Sequence, residues 1–254
     1  MHTLQNSKLK IAINKTGAEL CDIVSVKNKT TFMWDANPEV WGSIAPNLFP
    51  IIGALKDDTY IFENQKYTLP KHGFIRNNEN VKLLERATNS LTFGLIYSED
   101  SLKIYPFKFE FFITYTLKDN CIEVLHTVKN LDDKTMYFSV GGHPAFKCPV
   151  FENETYNEYY LEFEATENSE THLINMGNGL ISSKTKPMLN NTNKLNLFHD
   201  LFNEDALIFK DLTSRKVALK SKKSGEILNL SYKDFNYLGI WAKPNGDYVC
   251  IEPW

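Results

Sequence analysis

The 254-residue chain sets 28 Lys and Arg against 31 Asp and Glu, a formal net charge of −3, and so offers no basic field for nucleic acid. Hydrophobic content of 43% and charged content of 23% are those of an ordinary globular protein, and no apolar run reaches the roughly 18 residues of a membrane span. The first residues, Met1 to Asn6, lack the basic stretch and apolar run of a secretory signal, so a cytoplasmic location is the expectation.

In chain order, the dominant periodicity is two. Leu9, Ile11 and Ile13 alternate with polar neighbours as a half-buried strand does. Tyr60-Ile61-Phe62 and Tyr67-Thr68-Leu69 flank Glu63-Asn64-Gln65-Lys66, which reads as a hairpin turn. Leu91, Phe93, Leu95 and Tyr97 repeat the alternation, and residues 107–117 carry it furthest, with an aromatic or aliphatic residue at every odd position. Shorter β-type runs are expected at 122–128, 136–140, 159–163, 206–210, 216–220, 227–232, 238–241 and 248–251. The Asn/Thr/Lys-rich stretch 182–194 reads as a mobile loop, and only 195–203 suggests a turn or two of helix. Many short strands between Gly, Asn and Asp turns imply an all-β fold of antiparallel sheets, a sandwich or barrel. No linker or fixed repeat divides the chain, which reads as a single domain, 1–254.

Three segments interrupt the strands with dense polar chemistry: Lys71-His72-Gly73-Phe74-Ile75-Arg76, Gly141-Gly142-His143-Pro144-Ala145-Phe146 and Cys250-Ile251-Glu252-Pro253-Trp254. His143 follows two glycines and precedes a proline that restricts it to extended backbone, so its ring is presented in a fixed direction. Its intrinsic pKa suits acid or base work near neutrality, and the same placement suits a turn histidine bonding a carbonyl. Glu252 sits in an apolar run where a carboxylate needs a partner or a function, unless it is a solvated position on an edge strand near a terminus. Arg76, one of three arginines, stands four residues after His72, and on extended chain both would face the same way. Arg76 offers a rigid fork for a sugar oxygen or a carboxylate, and a structural ion pair is the competing reading. Asp205 opens a strand, where an acid can bind a ligand or simply solvate a turn. Trp34, Trp41, Trp241, Phe74 and Phe146 offer either apolar faces for a sugar ring or core packing.

Dinucleotide, P-loop, zincin and nucleophile-elbow motifs are missing. No cofactor and no metal are expected, since the remaining histidines show no ligand spacing and the four cysteines form no C-x-x-C pair. Those cysteines, Cys21, Cys121, Cys148 and Cys250, are expected to be reduced and structural.

Four motifs in order, Ala45-Pro46-Asn47-Leu48-Phe49-Pro50-Ile51-Ile52-Gly53, His72-Gly73-Phe74-Ile75-Arg76, Gly141 to Phe146 and Ile251-Glu252-Pro253-Trp254, resemble the aldose 1-epimerase (galactose mutarotase-like) superfamily, most closely its LacX-type branch. The resemblance spans nearly the whole chain. It implies a large antiparallel two-sheet β-sandwich, the supersandwich, with a cleft lined by these motifs. It also implies Glu252 as the general base at the anomeric hydroxyl and His143 as the general acid at the ring oxygen. His72 and Arg76 match residues that hold sugar hydroxyls or the ring oxygen, and Asp205 matches one that binds distal hydroxyls.

The implied partner is a small-molecule sugar, galactose or glucose, bound by a monomer or homodimer. Hexose 6-phosphate epimerases share the His-Gly-Phe-x-Arg signature and usually carry a further arginine near the first motif. Here Ile44 to Pro50 holds none, which argues for a neutral sugar, with Lys56 and Lys71 as alternative phosphate contacts. A glycoside hydrolase would ordinarily need two carboxylates, and a non-catalytic sugar-binding module is the third reading. Relatives normally continue beyond Glu-Pro-Trp, so the resemblance implies a chain truncated at its C-terminus. Terminal residues fray unless tied down.

Overall fold

The computed structural model describes residues 1–254, which divide into two compact units. The first comprises Met1–Thr31 and Ala45–Val140, and the second Phe32–Ile44 and Gly141–Trp254. Both are made of antiparallel sheets, as the period-two patterning requires.

In the first unit, β1 (His2–Gln5), β2 (Leu9–Ile13) and β3 (Leu20–Ser25) form one sheet. After β4 (Asn47–Leu48), the expected hairpin is β5 (Thr59–Phe62) and β6 (Gln65–Thr68). A four-stranded sheet follows, of β7 (Lys82–Arg86), β8 (Ser90–Ile96), β9 (Phe109–Lys118) and β10 (Cys121–Asn130), in spatial order β10-β9-β8-β7. The alternation of β9 buries Phe109, Phe111, Ile113, Tyr115 and Leu117, all at most 3% exposed. Phe49 stacks on Phe111 at 4.6 Å between centroids and meets Phe74, Tyr105 and Phe109 edge-on or tilted, an aromatic centre for this unit.

In the second unit, β11 (Gly141–Gly142) and β12 (Ala145–Lys147) precede the long hairpin β13 (Tyr159–Asn175) and β14 (Leu180–Asn196). β15 (Leu207–Phe209), β16 (Lys216–Ser221), β17 (Gly225–Ser231), β18 (Leu238–Trp241) and β19 (Tyr248–Pro253) complete it. The main sheet runs β12-β19-β18-β15-β13-β16-β17, with β14 on β13. Glu154 is buried behind β13, where Tyr159, Ser221 and Ser224 donate hydroxyls to it. Those three hydrogen bonds outweigh the cost of burial and hold its carboxyl below the usual range.

Four expectations are corrected. Residues 182–194 are strand, not loop: β14 is an outer strand paired only with β13 and is polar over most of this stretch, with Leu189 its one buried residue, so its backbone ladder rather than an apolar stripe defines it. Residues 136–140 form no strand. Tyr137 and Phe138 are exposed, and the segment bonds irregularly, with the Tyr137 carbonyl accepting from the Tyr105 hydroxyl and Ser139 donating to Pro50. The helical suggestion at 195–203 shrinks to a 3-10 turn at His199–Phe202, since Leu195 and Asn196 still belong to β14. The one α-helix, α1 (Glu99–Ile104), lies elsewhere, and its six residues are too few to show a period. It is set by Ser98, which accepts from the Ser101 amide.

Residues 71–76 are a turn and not a strand, so the same-face argument for His72 and Arg76 does not hold. Both His72 (φ 68) and Gly73 (φ 72) are left-handed. A Cβ on Gly73 would lie 2.1 Å from the Phe49 carbonyl oxygen, and Phe74 donates its amide to that same oxygen at 3.0 Å. Gly73→Ala should therefore destabilise the fold by at least ~2 kcal/mol, the left-handed cost plus a backbone clash. Chemical denaturation of the two proteins measures this, and an unchanged midpoint would refute the account of the turn.

Candidate active site

The second unit brings His143 and Glu252 together from 109 residues apart, the difference 252 − 143. His143 Nε2 lies 3.4 Å from Glu252 Oε2, with the side chains 9% and 2% exposed. Three features of β19 produce this. It is an interior strand, paired with β12 on one side (Ala145↔Cys250) and β18 on the other (Gly239↔Glu252). All six of its residues are buried, so Glu252 is not the solvated edge position that its place in the sequence allows. The ladder also runs past Glu252 to the last residue, as Trp254 exchanges both backbone bonds with Tyr237, at 2.9 and 3.1 Å. Gly239 makes room for the end of the strand, because a Cβ there would lie 2.6 Å from the Trp254 ring. His143 is fixed between β11 and β12, where Pro144 accepts the Ile251 amide at 3.1 Å.

An aromatic wall surrounds the pair. Trp41 stacks on the His143 ring at 5.0 Å and 27°, and Trp241 meets the same ring edge-on at 5.8 Å. Tyr248, on the same face of β19 as Cys250 and Glu252, stacks on Trp41 at 5.5 Å and contacts Trp34 at 4.6 Å. The Trp34 indole N–H donates to the Trp41 carbonyl at 2.8 Å, which fixes the loop carrying Trp41. Trp41 and Trp241 remain half-exposed, so each keeps a face for a ligand. Burial pushes the Tyr248 phenol and the Cys250 thiol well up, so neither is ionised near neutrality and Cys250 is no nucleophile.

The His72–Arg76 segment lies in the first unit. His72 is buried, and its Nδ1 accepts the Gly53 amide at 3.1 Å, which makes Nε2 the N–H donor of the neutral ring. Burial above all, with Lys71 and Arg76 nearby, holds its pKa down at about 3. Arg76 is half-buried, its guanidinium pushed down by burial and supported by Glu19. Asn47, in the first motif, ties this unit together: its amide donates to Gly17 and Ala18 carbonyls, and its Oδ1 accepts a hydrogen bond from His126 Nε2 at 2.9 Å. Burial lowers the His126 pKa to about 4.

Asp205 belongs to the second unit but does not join the His143–Glu252 group. It is left-handed (φ 75), and its Oδ1 accepts the Ala206 amide at 2.8 Å, one turn-forming contact at the entrance to β15. Tyr248 escapes sequence reasoning, because an aromatic at an alternate strand position reads as ordinary core. No helix is long and apolar enough to cross a membrane.

An all-β protein with a buried imidazole–carboxylate pair under an aromatic wall is the class that fold and site define. The chain belongs to the aldose 1-epimerase family, whose model matches residues 1–254. It is 36% identical to the plasmid-encoded protein LacX of Lactococcus lactis subsp. lactis, over 99% of this chain and 86% of that protein. Among solved structures, it is similar to the galactose mutarotase related enzyme of Lactobacillus acidophilus, with TM-score 0.93 and 36% identity over 100% of this chain and 84% of the other. A galactose mutarotase-like protein from Lactobacillus casei gives TM-score 0.91 and 29% identity, over 100% and 87% of the two chains. The galactose mutarotase-like antiparallel β fold is thus the fold of this chain.

His72 and His126 carry a pH consequence. Both are held neutral by the fold, from an ordinary value of 6.5 down to about 3 and about 4. Their unfolded forms take up protons first, so the stability they contribute is complete above about pH 6.5 and is lost as pH falls towards those folded values. Melting temperature should drop over that window and drop less steeply in His72→Asn, since Asn tolerates the left-handed backbone. A profile unchanged by that substitution would count against a buried, neutral His72.

Proposed function

We propose that this protein is an aldose 1-epimerase that interconverts the α and β anomers of a free hexose, galactose or glucose, by acid–base ring opening. The observation that carries this reading is the 3.4 Å separation of His143 Nε2 and Glu252 Oε2 in a water-poor, aromatic setting. A hemiacetal places its hydroxyl and ring oxygens about 2–3 Å apart on one carbon, so two such groups can serve both oxygens at hydrogen-bond range. Glu252 removes the proton from O1, the O1 electrons form the C1 carbonyl, and the C1–O5 bond breaks. Its electron pair goes to O5, which takes the proton of His143. Rotation about C1–C2 turns the other face of the aldehyde towards O5, and the two transfers reverse to close the opposite anomer.

Substrate contacts follow the resemblance. By that resemblance His72 and Arg76 donate N–H groups to sugar hydroxyls or the ring oxygen, Asp205 accepts from distal hydroxyls, and Trp41 and Trp241 offer faces to the sugar's C–H groups. No redox change or group transfer occurs, so the chemistry needs only these side chains.

One observation favours a second reading, a hexose 6-phosphate. An open cavity of about 450 Å³ in the first unit is lined by Lys71, Arg76, Asn77, Asn78 and Asn80, donors that could take an anion, with the opposing carboxylate of Glu79 beside them. Polarimetry of freshly dissolved α-D-glucose, α-D-galactose and α-D-glucose 6-phosphate separates the two readings by their kcat/KM.

Glu252→Gln and His143→Asn should each slow the catalysed decay by about 10²–10⁴-fold. Binding of sugar without acceleration would instead assign a non-catalytic carbohydrate-binding module. Release of reducing ends from a glycoside would assign a hydrolase.

A further inference from the structure

The acid–base pair has a third neighbour that the mutarotase reading leaves idle. Cys250 stands two residues before Glu252 on β19, on the same face of the strand. One nitrogen of His143, the sulfur of Cys250 and one oxygen of Glu252 all lie within 4.8 Å of one another, and all three residues are buried. We propose that these three side chains form an inhibitory binding site for a thiophilic divalent cation, for which Zn²⁺ is the probe.

Geometry and donor chemistry agree on this. Tetrahedral zinc holds His nitrogen at about 2.0–2.1 Å and carboxylate oxygen at about 2.0–2.2 Å, which sets the N···O edge near 3.4 Å. The His143–Glu252 edge is 3.4 Å before any cation arrives. With Zn–S at about 2.3 Å, the edges to sulfur come to ~3.6 Å. From separations within 4.8 Å, the Sγ atom closes by at most ~1.2 Å, within reach of a small side-chain rotation. An imidazole, a thiolate and a carboxylate suit zinc and its neighbours in the transition series, whereas Mg²⁺ and Ca²⁺ demand oxygen ligands. A dication also balances the two negative charges that a buried thiolate and carboxylate would carry. On binding, the thiol proton leaves to the buffer and sulfur donates its freed lone pair to the metal. The fourth position stays open for water or a sugar oxygen.

Sequence spacing conceals the site, because two ligands come from a Cys-x-Glu on β19 and the third from a turn more than a hundred residues away. Its consequence is occupation of the general acid and the general base at once. The inhibitory effect rests on the roles proposed for His143 and Glu252, whereas the binding itself rests on geometry alone.

The test uses the intact chain. Co²⁺ should bind one per protein with a near-ultraviolet thiolate-to-cobalt charge-transfer band that Zn²⁺ bleaches and Mg²⁺ leaves unchanged. The band should persist in Cys121→Ser, which removes the exposed thiol, and vanish in both Cys250→Ala and Cys250→Ser. Saturating Zn²⁺ should slow mutarotation by more than about tenfold and EDTA should restore it, because two groups of the size usual for acid–base catalysis are blocked together. The Cys250 variants should keep their basal rate and need roughly 10–100-fold more Zn²⁺, at least the loss that follows removal of an outer-shell partner. No band, or one that survives loss of Cys250, overturns the site, whatever the protein does to sugars. Binding with no effect on rate overturns the inhibitory role. A wild-type protein that forms the band and leaves sugars unchanged keeps the site and refutes the epimerase reading instead.

Discussion

The candidate chemistry depends on β19 being an interior strand. A carboxylate that is 2% exposed can hold a defined position only if its backbone cannot move, and β19 is bonded to β12 on one edge and β18 on the other. Both neighbours serve the same end. β12 begins two residues after His143 and sets the imidazole against the carboxylate, while β18 supplies Gly239 directly opposite Glu252. Trp254 extends the ladder through two backbone bonds to Tyr237, so Glu252, two residues before it, is anchored within a sheet. Trp41 and Trp241 pack against the His143 ring, and Tyr248 stacks behind Trp41.

The first unit solves a different problem. His72 is not presented by a strand but by a left-handed turn pinned to the Phe49 carbonyl, with no room for a side chain at Gly73. Its Nδ1 is committed to the Gly53 amide, so the ring is a neutral donor at Nε2 and keeps that state well into acid. Asn47 and Tyr115 stabilise the same unit by taking the carbonyl groups around Gly17 and Ala18 out of competition.

Much of the fold was legible where burial is one-sided. β9 announces itself because five odd-numbered residues are apolar and all five are buried. Legibility fails where the pattern carries no such contrast. β14 is polar over most of its length, with only Leu189 and Leu195 buried, and reads as a loop, and 136–140 is apolar and β-like yet lies exposed outside any sheet. A local rule also failed at 71–76, where two left-handed residues cancel the alternation that would have placed His72 and Arg76 on one face.

The sequence by itself determined the class of the fold, the family and the identity of the chemical groups, because period-two burial and four ordered motifs are written in local residue order. For Glu252, position alone favoured a solvated end, and the matching motifs with the need for a partner to His143 turned the expectation to a working base. Only the tertiary structure shows that Glu252 is buried and placed beside His143, since burial, ladder pairing and the 3.4 Å approach all come from contacts between residues far apart in the chain. The same holds for Cys250, which the sequence offers as an inert core thiol. Its place beside the pair follows from the pleat of one strand and from the pairing of β12 with β19.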